Sequence, residues 1–212
     1  MFIYNMEITH VCSLGTLCQS SQILKNNNLK TCSYPFDWIF SDCDMIIDCL
    51  ENNFNKFLDK NYYISIKDND HKCGHILYHP QMFNHFNPLN NNNDYEYYVR
   101  CVNRFKQLLQ YEEHKLFIMI FVDMDIINED IKNYIINFNN EFSKYTKNYT
   151  LLVILHIRNK ENNFYEFTHH DNIDFLELHT LSCSNGANFI NKIDNDYVND
   201  IIKQTYNFKR NT

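Results

Sequence analysis

The chain has 212 residues, of which 44% are hydrophobic and 16% aromatic, so it carries enough apolar surface to fold on its own. Its net charge of −7 and its scattered basic residues argue against nucleic acid as a partner. The N-terminus lacks the pattern of a signal peptide and no apolar run is long enough for a membrane helix, so we expect a cytoplasmic protein that does not bind membranes.

Eight cysteines are present, and several lie inside apolar runs. A free cysteine in such a run behaves as a small hydrophobic residue, and without a secretion signal we expect reduced thiols rather than disulfides. We find no internal repeat and no linker, which predicts a single domain over residues 1–212.

The predicted elements of the N-terminal half begin with a strand, a turn and a helix. Residues 7–14 favour a strand, Gly15 a turn, and residues 17–26 a helix. A second helix is predicted over residues 42–58, with Ser41 as its N-cap. Residues 61–93 are predicted to be irregular, with one short strand at 75–79.

The C-terminal half alternates helices with strands that are apolar on both faces. Helices are predicted at 94–111, 127–146 and 194–206, and strands at 115–122, 150–157 and 173–181. Two buried strands joined by a helix form a right-handed parallel crossover. The sequence therefore predicts an α/β domain with a central, mostly parallel sheet of about five strands flanked by helices.

The motif SLGTLC, from Ser13 to Cys18, carries the sharpest chemical signal. Gly15 permits a sharp turn, which places Cys18 in the first turn of a helix. The free amides and the positive end of the helix dipole favour a thiolate there, and the same amides can hold an oxyanion or cradle a phosphate. A packed structural cysteine is the alternative interpretation.

The segment CSLGTLCQSSQILKNNNLKTCSYPFDWIFS resembles the opening of the putative papain-like cysteine peptidase family, with a strand ending in SLG, a Cys three residues later and then YPFDW. The resemblance is specific over residues 8–60. A weaker likeness continues through PQMFNHFN, which contains His85, and through the helix YYVRCVNRF.

The resemblance implies a thiol hydrolase acting on a peptide, an amide or a glycan-linked substrate, with no cofactor and no metal. Carried over to this sequence, Cys18 is the nucleophile, His85 the base and Asp37 the group that orients the base. His156 and His179, each at the end of a predicted strand, are alternative bases.

The same residues also have structural interpretations. Asp37 and Trp38 are typical of a loop anchor, with the Asp capping the helix near Ser41. His85 stands between Phe83 and Phe86, which is equally typical of a packed histidine.

A second constellation is FVDMD, in which Asp123 and Asp125 follow a buried strand. An Asp-x-Asp pair at this edge of an α/β sheet can hold a divalent cation against a diphosphate, and the pattern faintly resembles metal-dependent glycosyltransferases. This gives a sugar-nucleotide enzyme as the alternative function. Capping of the next helix also explains Asp125.

Three further hypotheses stay open. The cluster His71, Cys73, His75 and His79 could bind zinc, although its spacing does not match a common structural site. Ser13 could act as the nucleophile of a serine esterase, although the remaining blocks of such enzymes are missing. The chain could also be a binding module without catalysis.

Overall fold

A central sheet of five strands organises the fold in the computed structural model, which describes residues 6–67 and 69–209. Its strand order is β2-β5-β6-β8-β7, and all neighbouring pairs are parallel except β7 with β8. The bounds are β2 His10–Gly15, β5 Lys115–Met124, β6 Tyr149–Ile157, β7 Phe164–His170 and β8 Ile173–His179. The predicted α/β fold is confirmed.

Within residues 6–67 and 69–209, four shorter strands lie outside this sheet. β1 (Glu7–Ile8) pairs in parallel with β9 (Asn207–Phe208). β3 (Tyr63–Ser65) and β4 (Cys73–His75) form a small antiparallel hairpin after a single turn of 3₁₀ helix at Lys60–Tyr62. The strand predicted at 75–79 therefore lies slightly earlier, at 73–75.

In the described part of the chain, six α-helices surround the sheet: α1 Cys18–Asn26, α2 Cys43–Glu51, α3 Asn55–Leu58, α4 Asn92–Leu109, α5 Glu129–Phe142 and α6 Lys192–Thr205. The single helix predicted over 42–58 is wrong. Asn53 and Phe54 have positive φ angles of 56° and 62°, which end α2 and start the short α3. Asp42 caps α2 by accepting a hydrogen bond from the Met45 amide at 2.8 Å, so Ser41 is not the N-cap.

Both faces of the sheet are covered, which explains the uniformly apolar strands. In β5, Phe117 and Met119 face one core while Leu116, Ile118 and Ile120 face the other. The first core is closed by α2, α4 and α5, and the second by α1 and α6. Alternate side chains of one strand thus enter two separate hydrophobic cores.

The strand β7 has no counterpart in the sequence prediction. It is an edge strand whose residues are exposed or half-buried, and it pairs antiparallel with β8. A strand without a buried face leaves little periodicity to detect.

Within the part of the chain that the structure describes, none of the helices has the length and the apolar composition needed to span a membrane.

Candidate functional site

The turn between β2 and α1 depends on two consecutive residues with left-handed backbone. Gly15 has φ +81° and Thr16 has φ 62°, after which Leu17 is extended and α1 begins at Cys18. A Cβ atom on Gly15 would lie 2.2 Å from the Ser41 hydroxyl oxygen and 2.8 Å from the Phe36 carbonyl oxygen. Glycine is therefore needed both for its conformation and for space.

Serine hydroxyls brace this turn from both sides. The Ser13 hydroxyl accepts a hydrogen bond from the Gly15 amide at 3.1 Å and lies 2.7 Å from the Ser20 hydroxyl. The Ser41 hydroxyl accepts from the Thr16 amide and donates to the Leu14 carbonyl, both at 3.3 Å. Ser13 is fully buried, so it supports the turn and is not accessible as a nucleophile.

Cys18 and His85 lie side by side. The Cys18 Sγ atom is 3.3 Å from the His85 Nε2 atom, within hydrogen-bonding distance for sulfur. Cys18 is the first residue of α1 and is partly buried, while His85 is exposed to solvent. The first-turn amides of a helix have no intrahelical acceptor, so donors for a developing oxyanion lie beside the thiol.

Two packed aromatic rings, one fully and one partly buried, flank His85 in the chain. Phe83 is fully buried against Phe57 and Tyr98, and its backbone pairs with Cys73 of β4. Phe86 stacks on Tyr97 of α4, with ring centroids 4.6 Å apart. The neighbours of His85 are thus the packed residues, and the imidazole between them points to solvent and to Cys18.

Burial raises the pKa of the Cys18 thiol, which is the reverse of the expectation from the helix dipole alone. The amide of Cys18 itself opposes this effect, and the negative charge of Asp37 adds to it. A thiol of this kind is neutral at rest and needs a base at the moment of attack. The His85 imidazole lies within hydrogen-bonding distance of that thiol.

Asp37 lies near the site without contacting His85. Its Oδ2 atom accepts a hydrogen bond from the Tyr34 amide at 2.7 Å and forms a short ion pair with Lys30. It makes no hydrogen bond to His85 within residues 6–67 and 69–209, and it does not cap α2. Burial raises its pKa and Lys30 opposes that rise, so Asp37 belongs to a buried ion pair under the loop.

The two alternative bases lie at the carboxyl ends of β6 and β8. His156 is fully buried, its Nδ1 accepts from the Asp123 amide at 3.0 Å, and its Nε2 lies 2.7 Å from the Thr180 hydroxyl. That hydroxyl donates to the Ser182 carbonyl, so it accepts from Nε2, and no ring nitrogen of His156 is left to take a proton. His179 stacks on Phe164 at 3.8 Å between ring centroids. The structure brings neither ring into hydrogen-bonding contact with Cys18 among the described residues.

Asp123 and Asp125 contact different partners. Both carboxylate oxygens of Asp123 accept from the Ser184 amide, at 3.0 and 3.3 Å. The Asp125 side chain is 93% exposed and lies 3.9 Å from the Arg158 guanidinium. Asn128, and not Asp125, caps α5. In the described part of the chain, no three His, Cys, Asp or Glu side chains are grouped as metal ligands.

Of the residues considered for zinc, His71 is exposed, and the other three are buried or held by other partners. The His75 Nε2 atom lies 3.0 Å from the Lys56 carbonyl oxygen, and its Nδ1 accepts from the Leu77 amide at 3.3 Å. Cys73 is buried, and the His79 ring packs on Phe40 with centroids 4.7 Å apart. These side chains stabilise the hairpin and the loop after it.

Two contacts of the site carried no usable signal in the sequence. Ser184, from the loop after β8, donates to the side-chain oxygen of Gln19, which directly follows Cys18. Trp38 lies beside His85, with ring centroids 6.2 Å apart and planes at 82°. Only the YPFDW motif pointed to Trp38, and it pointed to a loop anchor.

Comparison with protein families matches residues 9–159 to the model of DUF1796, described as a putative papain-like cysteine peptidase. Neither the curated proteins nor the solved structures contain a match to this chain. The matched range includes Cys18, Asp37 and His85 and extends to the end of β6. Because it covers more than half of the 212 residues, the chain belongs to the putative papain-like cysteine peptidase family.

Proposed function

We propose that this protein is a thiol hydrolase in which Cys18 is the nucleophile and His85 the general base. The 3.3 Å separation of Sγ and Nε2 is the observation that carries the proposal. The family description supports the same chemistry. The substrate class is a carbonyl compound with an amine or alcohol leaving group, as in a peptide, an amide or a glycan-linked ester.

The reaction proceeds in two halves. In the first, His85 takes the thiol proton as the Cys18 sulfur attacks the carbonyl carbon, and the protonated imidazole then gives that proton to the leaving group as its bond breaks. In the second, His85 takes a proton from water as the water oxygen attacks the thioester, and the proton passes to sulfur when the acid is released. First-turn amides of α1, which have no intrahelical acceptor, are the groups that we expect to stabilise the oxyanion in both halves.

Labelling with iodoacetamide, read out by mass spectrometry, tests the nucleophile. We expect Cys18 to react faster than Cys32 and Cys183, which are also partly buried and serve as internal controls. His85→Gln should slow labelling at Cys18 near neutral pH and leave the two controls unchanged. Equal rates at all three cysteines, or no effect of His85→Gln, would count against the proposal.

Hydrolysis of a fluorogenic peptide library tests the activity itself. Cys18→Ser should abolish turnover, while Cys183→Ser should retain it. The same preparations distinguish the sugar-nucleotide alternative, which predicts a rise in melting temperature with UDP and Mn²⁺ that Asp123→Asn removes. A binding module would show neither turnover nor this rise.

A further inference from the structure

His85 has one hydrogen-bonding contact in the described chain, and that contact is Cys18. The imidazole is exposed, and its Nδ1 atom has no hydrogen-bond partner among residues 6–67 and 69–209. An exposed ring of this kind can rotate about its side-chain bonds within nanoseconds. A base that must face the thiol therefore requires another group to hold its orientation.

The indole of Trp38 contacts His85 in an edge-to-face arrangement, with an angle of 82° between the planes and 6.2 Å between ring centroids. Aromatic rings prefer this geometry because the positive edge of one meets the negative face of the other. Trp38 is partly buried, so its ring forms a wall beside the exposed imidazole.

The position of Trp38 is fixed by contacts of its own loop. The Lys30 ammonium lies 5.7 Å from the indole centroid, and Lys30 also pairs with Asp37, the residue before Trp38. On either side, Phe36 and Ile39 are buried in the core. The loop that carries the indole is therefore held by a buried ion pair and by two apolar anchors.

We propose that Trp38 is the positioning residue of His85, and that the Lys30–Asp37 ion pair acts on the base only through the indole. The inference rests on the proposed function. It assigns to Trp38 the orienting role that a carboxylate has in other thiol hydrolases. Trp38 touches no reacting atom in this scheme. It restricts the imidazole to the orientation in which Nε2 faces Sγ.

The fluorescence of Trp38 tests the contact directly because the sequence contains one tryptophan. The emission of an indole depends on the side chains in contact with it, so His85→Gln should change the emission of Trp38, and His79→Gln should leave it unchanged. Identical emission from His85→Gln and from the unchanged protein would overturn the assignment.

The rate of iodoacetamide labelling at Cys18, measured from pH 5 to 10, tests the positioning role. We expect Trp38→Leu to give the pH profile of His85→Gln and Trp38→Phe, which keeps an aromatic ring, to give the profile of the unchanged protein. Labelling of Cys183 and the melting temperature report any general loss of folding, which a purely structural role would produce without altering the profile.

The outcomes separate the two proposals. Two results would contradict the positioning role while leaving the thiol chemistry intact, provided that Cys18 labelling depends on His85. The first is a Trp38→Leu variant that keeps the original pH profile. The second is a Trp38→Phe variant that loses the original pH profile as fully as Trp38→Leu does. If Cys18 labelling does not depend on His85 in the unchanged protein, the proposed function itself fails.

Discussion

The Nε2 atom of His85 lies 3.3 Å from the Sγ atom of Cys18, although 67 positions separate the two residues in the chain. Cys18 is the first residue of the helix that follows the first strand of the sheet, and His85 lies in the loop that follows a small hairpin. Their proximity is a property of the fold, and it sets the first expectation below.

Replacing His85 by Gln should lower turnover by about 10²–10⁴-fold, the range typical of a general base, because the partly buried thiol of Cys18 then loses its proton acceptor. Steady-state hydrolysis measures this change. The matched control is His79→Gln, which alters a histidine of the same loop that packs on Phe40. Equal losses in both variants would show that the loop, and not the base, matters.

Replacing Gly15 by Ala should destabilise the protein by more than the ~1–3 kcal/mol typical of backbone strain alone, because the new Cβ would also collide with Ser41 and the Phe36 carbonyl. Gly186 provides the control. It has φ +91°, and a Cβ atom added there would meet nothing within 4 Å, so Gly186→Ala carries the conformational cost without the collision. Urea unfolding of both variants isolates the difference, and equal midpoints would contradict the steric argument.

Replacing Asp37 tests whether it orients His85 or acts on Cys18 by charge. The negative charge of Asp37 contributes to the raised pKa of Cys18, so removing it should lower that pKa and speed alkylation at neutral pH. The variant Lys30→Met with Asp37→Asn is the one to measure, since breaking a buried ion pair on one side alone costs about 3–5 kcal/mol. It is measured in the His85→Gln background, where loss of the ion pair beside Trp38 can no longer act on the base. An Asp37 that acts only through His85 predicts an unchanged alkylation rate there.

Stability should fall between pH 6.5 and pH 4 because of His156. Burial lowers the pKa of His156 to about 4, so the unfolded chain binds a proton at higher pH than the folded protein does. The neutral ring therefore stabilises the fold fully above pH 6.5, and about 3 kcal/mol is lost as pH falls through this window. Urea unfolding at several pH values measures the slope.

His156→Gln should remove this part of the pH dependence, while His71→Gln, at an exposed position, should retain it. An unchanged slope in His156→Gln would contradict the assignment. The change should also lower stability at pH 8, since the ring bridges the Asp123 amide and the Thr180 hydroxyl.

The main sheet was predictable because its strands are buried on both faces. Residues 115–122 and 150–157 are apolar without alternation, which is typical of a parallel strand between helix layers, and both form such strands. The strand β7 was not predictable because it has no buried face, so its sequence shows no periodicity. The break between α2 and α3 was not predictable because it depends on the left-handed backbone of Asn53 and Phe54.

The sequence by itself determined the α/β architecture and the place of Cys18 at the start of a helix, because periodicity and a turn glycine are local properties of the chain. Only the tertiary structure decided which histidine reaches the thiol, and it placed Asp37 on Lys30 and His156 in the core. Partners distant along the chain meet through packing, as Phe83 and Phe86 show for His85, and no local pattern records that packing.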